Sequence, residues 1–123
     1  MPADSHAPVS IQLRIPYEGL FAFGPGKAAL LEAIDQCQSI SAAGRRMGLS
    51  YTKTRRLLDE LRLCFRHPVI ESIKGGAQGG GTRITATGHR ILAAFRAMEG
   101  RALAAVQEDL RAIMAELGPT TGA

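Results

Sequence analysis

The stretch SISAAGRRMGLSYTKTRRLLDEL, which starts at Ser39, constrains the chain more than any other. Ser39 offers an N-cap oxygen to a short helix from Ile40 to Met47. Ile40, Ala43 and Met47 share the inner face of that helix, and Ala42 and Ala43 are small enough to let a neighbouring helix cross closely. Gly48 is the natural left-handed stop, Leu49 plugs the turn, and Ser50 caps the next helix, Tyr51 to about Cys64. At the helical repeat of about 3.6 residues, Leu57, Leu58, Leu61, Cys64 and Phe65 fall on the side of Thr54 and form a buried stripe. Thr52, Arg56 and Asp59 point the opposite way, flanked by Lys53 and Arg55. Leu63 also points outward, and the pattern gives no reason for it.

Two short helices around a glycine turn, with a polar and cationic front on the second, are what DNA reading requires. A B-form major groove admits one helix, whose tips must meet base edges while its cations meet phosphates. Charge distribution supports this. The chain carries a net charge of +4, spread unevenly. Residues 39–66 hold Arg45, Arg46, Lys53, Arg55, Arg56, Arg62 and Arg66 against Asp59 and Glu60, a net +5, and residues 67–90 add +2. The flanking segments are acidic, −2 over residues 1–38 and −1 over residues 91–123. A positive middle is where a polyanion would bind. Arg45 and Arg46, closing the first short helix, suit either backbone phosphate or the negative end of their own helix dipole.

Around this unit the pattern is weaker. Ile11, Leu13 and Ile15 alternate with polar residues and predict a short strand ended by Pro16. Phe21 and Phe23 read as an apolar lead-in, and Gly24-Pro25-Gly26 as a breaker before a helix from Lys27 to Gln38. After His67-Pro68, residues 69–73 read as a strand, followed by KGGAQGGG with five glycines and a second strand at 82–85. Two strands joined by a loop running from Lys74 through Gln78 to Arg83 form a hairpin. Placed directly after the reading helix, it would be the wing of a winged helix-turn-helix.

Thr87 is expected to cap a final helix from Gly88 to about Leu117, roughly 45 Å long at 1.5 Å per residue. Its apolar set includes Leu92 and Phe95. From Leu103 the spacing through Val106, Leu110, Ile113 and Leu117 is that of a coiled-coil seam. So long a seam on so small a domain predicts pairing with a second copy.

The fold class expected is therefore mainly α with a small β wing. Residues 11–87 form the winged helix-turn-helix and 88–118 a dimerisation helix, with disordered tails at 1–10 and 119–123. The length of 123 residues and 46% apolar content suit one such domain. No apolar run reaches the roughly 20 residues that span a bilayer, and MPADSHAPVS lacks the basic start and apolar stretch of a signal peptide. A cytoplasmic, nucleoid-associated protein is expected. Cys37 and Cys64 lack metal-ligand spacing and read as packed thiols. His6, His67 and His89 have no partners at ligand spacing, and GGAQGGG precedes a strand without the Gly-Lys-Ser/Thr of a phosphate loop. No metal, cofactor or catalytic constellation is legible, so an enzyme is not expected.

The opening run, the following PVIES, the glycine-rich loop and TRITATGHRIL together resemble the N-terminal DNA-binding domain of the ModE family, bacterial molybdate-responsive transcriptional regulators. The resemblance spans residues 11 to 95. It is most specific at the Ser39-Ile-Ser-Ala-Ala43 helix start, the Gly48-Leu-Ser-Tyr51 turn and the Thr85-Ala-Thr-Gly88 helix start. LysR-type regulators share the plan more loosely, with a wing less rich in glycine. The resemblance implies a winged helix-turn-helix homodimer on a palindromic operator of double-stranded DNA, without membrane attachment. It puts Ser50, Tyr51, Thr52, Lys53, Arg55 and Arg56 on the reading helix and Lys74, Gln78 and Arg83 in the wing. Thr54-Arg55 departs from an Ala-Trp pair common in the family, implying a different operator. The family continues into two small molybdate-binding folds. With the chain ending at Ala123, a DNA reader without that sensor is expected, its effector unknown. The alternatives are a winged-helix module that binds protein, and a regulator with an oxyanion or metabolite site at its dimer interface.

Overall fold

The computed structural model describes residues 10–76 and 79–120, as four helices and two separate two-stranded antiparallel sheets. The order is β1 (Ile15–Tyr17), β2 (Leu20–Phe23), α1 (Pro25–Cys37), α2 (Ile40–Arg46), α3 (Tyr51–Cys64), β3 (Ile70–Gly76), β4 (Gly79–Ile84) and α4 (Ala86–Met114). Of the tails expected at 1–10 and 119–123, residues 1–9 and 121–123 lie outside the described residues.

The N-terminal segment differs from expectation. Pro16 does not end a strand at Ile15; it sits inside β1, at a register shift between Ile15 and Pro16. Proline is tolerated at such an irregularity because no ladder hydrogen bond is required there. The chain then reverses through Glu18 and Gly19, both with positive φ (50° and 81°), the backbone twist that a two-residue hairpin turn demands. Phe21 and Phe23 accordingly belong to β2. Phe21 is exposed and Phe23 buried.

Phe23 anchors the core. Its ring meets Phe65 edge-on at 6.1 Å and Phe95 at 5.0 Å, tying the first hairpin to the end of α3 and to α4. Leu30, Leu31 and Ile34 of α1 and Leu58 and Leu61 of α3 complete the fully buried set. Three ion pairs brace this core from outside. Arg96 of α4 reaches α1, donating from Nε and Nη2 to the two oxygens of Glu32 at 3.0 and 2.7 Å, and from Nη1 to Glu99 at 2.7 Å. Lys27 of α1 is buried and pairs with Glu60 of α3 at 2.8 Å.

The second hairpin is held at its base and along β4. Val69 accepts from the Thr85 amide at 3.0 Å at its base, and Thr82 donates to the carbonyl of Gln38, after α1, also at 3.0 Å. Gly88 lets α4 start hard against this base; any Cβ there would strike the Val69 carbonyl and the Ile84 side chain. This explains why α4 is capped by Thr85 rather than Thr87. Thr85 Oγ1 accepts from the Gly88 amide at 3.0 Å while donating to the Pro68 carbonyl at 2.7 Å, so one hydroxyl closes the hairpin and starts the helix. The other end of α4 is also earlier than expected, at Met114, and Leu117 lies beyond it. Cys37 and Cys64 are both free and half-buried. Among the described residues no helix is long and apolar enough to cross a membrane.

Candidate nucleic-acid interface

The α2–α3 unit is built from local signals. Ser39 Oγ accepts from the Ala42 amide at 3.1 Å and Ser50 Oγ from the Lys53 amide at 3.0 Å, so both helices start on a serine cap. Between them, the Leu49 amide donates to the Gly44 carbonyl at 2.8 Å and the Gly48 amide to the Arg45 carbonyl at 3.0 Å. That pair of bonds is a Schellman closure, and Gly48 supplies the left-handed residue it needs, with φ of 71°. The helices cross at Gly44 rather than at Ala42. A Cβ on Gly44 would overlap Thr54, which is fully buried. Thr54 spends its hydroxyl on the Ser50 carbonyl at 2.8 Å, leaving no unpaired polar group at the crossing.

Locking Thr54 inward sets the rotation of α3. Tyr51, Thr52, Lys53 and Arg56 are then exposed on its first two turns. Arg55 is half-buried and lies 3.9 Å from Asp59 one turn on, which partly occupies it. Arg45 and Arg46 are exposed in the last turn of α2, Arg46 donating to the Gln36 side chain. In the second hairpin Lys74 is exposed, while Arg83 donates from Nε to Glu71 at 2.8 Å across paired strands. Gln78 lies outside the described residues. Among the described residues, Arg45, Lys53, Arg56 and Lys74 have no carboxylate within ion-pair distance. The hairpin and the start of α3 border one shallow groove of about 420 Å³, walled by Ser39, Ser41, Tyr51, Ser72 and Thr82. The groove faces are hydroxylated and small.

The residues expected to dimerise divide into two groups. Phe95 is 3% exposed and belongs to the protomer's own core against Phe23, so it is not available to a partner, and Leu92 also packs on that core. The β1–β2 hairpin supplies Phe95 with an aromatic partner inside the chain, which the apolar spacing along α4 does not reveal. Leu103, Val106 and Leu110 are half-buried along the free half of α4, Ile113 is exposed, and Leu117 is exposed beyond the helix end.

Lys27, one of the cations of the acidic N-terminal segment, is structural. Its signal was in the sequence: Lys27, Leu30, Leu31 and Ile34 share one helical face. Arg96 and Glu32 carry no such signal, because they lie on different helices. Hydrogen bonds from Arg96 hold the Glu32 carboxyl below its usual range against an opposing effect of burial, and Arg96 is correspondingly held charged.

No protein-family model matches the chain. The chain is 33% identical over 93 residues, 76% of its length, to the molybdenum-pterin-binding protein MopA of Rhodobacter capsulatus, covering 35% of that protein. It is 37% identical over 78 residues to the molybdenum transport protein ModE of Azotobacter vinelandii, covering 63% of this chain and 29% of that one. Its identity to the transcriptional regulator ModE of Haemophilus influenzae is 30% over 89 residues, 72% of this chain and 35% of the regulator. The chain thus spans about a third of the length of the curated relatives it matches, and those relatives are molybdenum-pterin-binding proteins and ModE proteins.

Proposed function

We propose that this chain is a winged helix-turn-helix module that binds double-stranded DNA as a homodimer and regulates transcription. The observation that carries the reading is the rotation of α3: Thr54, held under Gly44, turns Thr52, Lys53 and Arg56 outward at the positively polarised start of a serine-capped helix. In this reading α3 enters the major groove, with Thr52 and Arg56 on base edges and Lys53 on phosphate. The β3–β4 hairpin is the wing, bringing Lys74 to the backbone beside it. Arg83 contributes less, because it must exchange Glu71 for phosphate. Affinity arises from phosphate neutralisation and counterion release, and preference from the few side chains that reach base edges.

The free half of α4 supports pairing of two copies, which would set two reading helices on half-sites about 34–36 Å apart on a palindromic operator. The ModE relatives support a target among molybdenum-related genes. Fluorescence anisotropy with duplexes from the promoter of the chain's own operon tests the reading. It expects binding about 10³-fold or more tighter than to a scrambled duplex at physiological salt, the usual margin of specific sites. Equal affinity for the two duplexes would overturn it.

A further inference from the structure

Behind the start of α3, on the side away from the second hairpin, the β1–β2 hairpin, the first turn of α1 and the α2–α3 turn enclose a groove of about 490 Å³. That is within the size of small-molecule sites, roughly 300–1,000 Å³. Its floor is apolar, from Phe23, Met47 and Leu57. Phe21 lines it as well, 53% exposed, a large aromatic left half-bare on a strand. The Arg14 guanidinium stands 5.4 Å from the centre of that ring. At the back, Lys27 is saturated by Glu60 and the Phe21 carbonyl, so this pair cancels as charge. Arg14 and Lys53 remain at the rim, with no carboxylate in ion-pair distance among the described residues. Gly26 borders the groove, and a Cβ there would meet nothing within 4 Å, so no side chain of that turn fills the space.

We propose that this groove binds a small amphipathic monoanion, an aromatic body bearing one carboxylate or sulfonate. The body lies over Phe21 and Met47, and the acid group sits between Arg14 and Lys53. An apolar floor disfavours a bare inorganic anion, which would lose its hydration there. Two uncompensated cations at the rim select an acid over a neutral hydrocarbon. Lys53 belongs both to this rim and to the proposed DNA-reading face, so an occupied groove weakens duplex binding. This second step rests on the DNA-binding reading; the binding site itself does not.

The test uses the full chain with anilinonaphthalene sulfonate as probe and its uncharged parent, phenylnaphthylamine, as control. Fluorescence titration should give one site per protomer. Gly26→Leu, which sets a bulky side chain at the border of the groove and replaces a helical glycine, should abolish probe binding while leaving the melting temperature unchanged or higher. Arg14→Gln should weaken the sulfonate severalfold and leave the parent unaffected, the size expected of an exposed ion pair. Probe binding that survives Gly26→Leu, or a parent that binds as tightly as the sulfonate, would overturn the site. Duplex titrations form a separate arm. Saturating probe should weaken wild-type duplex binding severalfold and leave the Gly26→Leu variant unaffected. If Arg14→Gln weakens duplex binding while probe binding is unchanged, the rim is a phosphate contact and the proposal fails. If no duplex binds at all, the DNA reading falls while the probe titrations still decide the site.

Discussion

Helices α3 and α4 each carry an apolar stripe but use it differently. In α3, Leu58 and Leu61 are fully buried with Thr54, and the opposite face is cationic and open. In α4 only the first half is committed: Phe95 is in the core and Arg96 is clamped to Glu32, whereas Leu103, Val106, Leu110 and Ile113 lie outside the core cluster of the described residues. A helix that spends its apolar face inside and its charge outside suits a polyanion. A helix that leaves an apolar stripe outside suits another apolar surface. In the proposed reading the two helices serve two partners, DNA and a second copy.

The comparison breaks most visibly under truncation of leucines. Leu61→Ala should cost about 2–5 kcal/mol, as large-to-small changes at closed core sites do. Leu110→Ala on α4 should cost the protomer little and instead reduce the dependence of melting temperature on protein concentration. Calorimetry at two concentrations separates these, and similar concentration-independent losses in both would mean that α4 packs within its own chain. Next in size is Gly44→Ala, which drives a methyl into buried Thr54 and should cost about 1–3 kcal/mol as overpacking. The same variant should impair duplex binding by turning α3, which a titration at a temperature well below the transition would reveal.

Smaller effects sharpen the division of labour on the cationic face. Arg56→Ala should lose about 1–3 kcal/mol of discrimination at one base position, while Lys74→Ala should weaken all duplexes alike and flatten the salt slope by about one unit. Identical behaviour of the two would merge their assigned roles. The smallest effect concerns the brace on α4. The Glu32 carboxyl titrates below its ordinary 4.5 because Arg96 donates to it. A lowered folded value means stabilisation that is complete above the unfolded value and fades as pH falls through the folded one. Both side chains are more than a third exposed, so the loss should stay below about 1 kcal/mol. Acid titration of the melting temperature should show it, and Glu32→Gln should remove that share of the decline.

What the sequence made legible follows from the range over which each feature is determined. The α2–α3 unit depends on caps, a glycine and a stripe within about two dozen residues, and Ser39, Gly48, Ser50 and Thr54 act where their spacing puts them. The β1–β2 hairpin was hidden because Pro16 reads as a terminator unless the irregular register that tolerates it is known. The choice of Thr85 over Thr87 turned on a contact to Pro68, 17 residues away. Lys27–Glu60 and Arg96–Glu32 join positions 33 and 64 residues apart, beyond any local pattern. For the candidate interface, the side chains were readable from helical angles, whereas the neutralisation of Arg83 by Glu71 depended on hairpin register.

The salt dependence of binding to the promoter duplex tests the central claim most directly, because it counts the phosphates that the exposed cations meet. With Arg45, Lys53 and Lys74 on phosphate, the logarithm of affinity should fall against the logarithm of salt with a slope of roughly −2 to −3 per protomer, at about −0.9 per phosphate. Replacing these three by alanine should bring the slope close to zero while the fold survives. A wild-type slope near zero, or one unchanged in the triple variant, would contradict the assignment of this face to DNA.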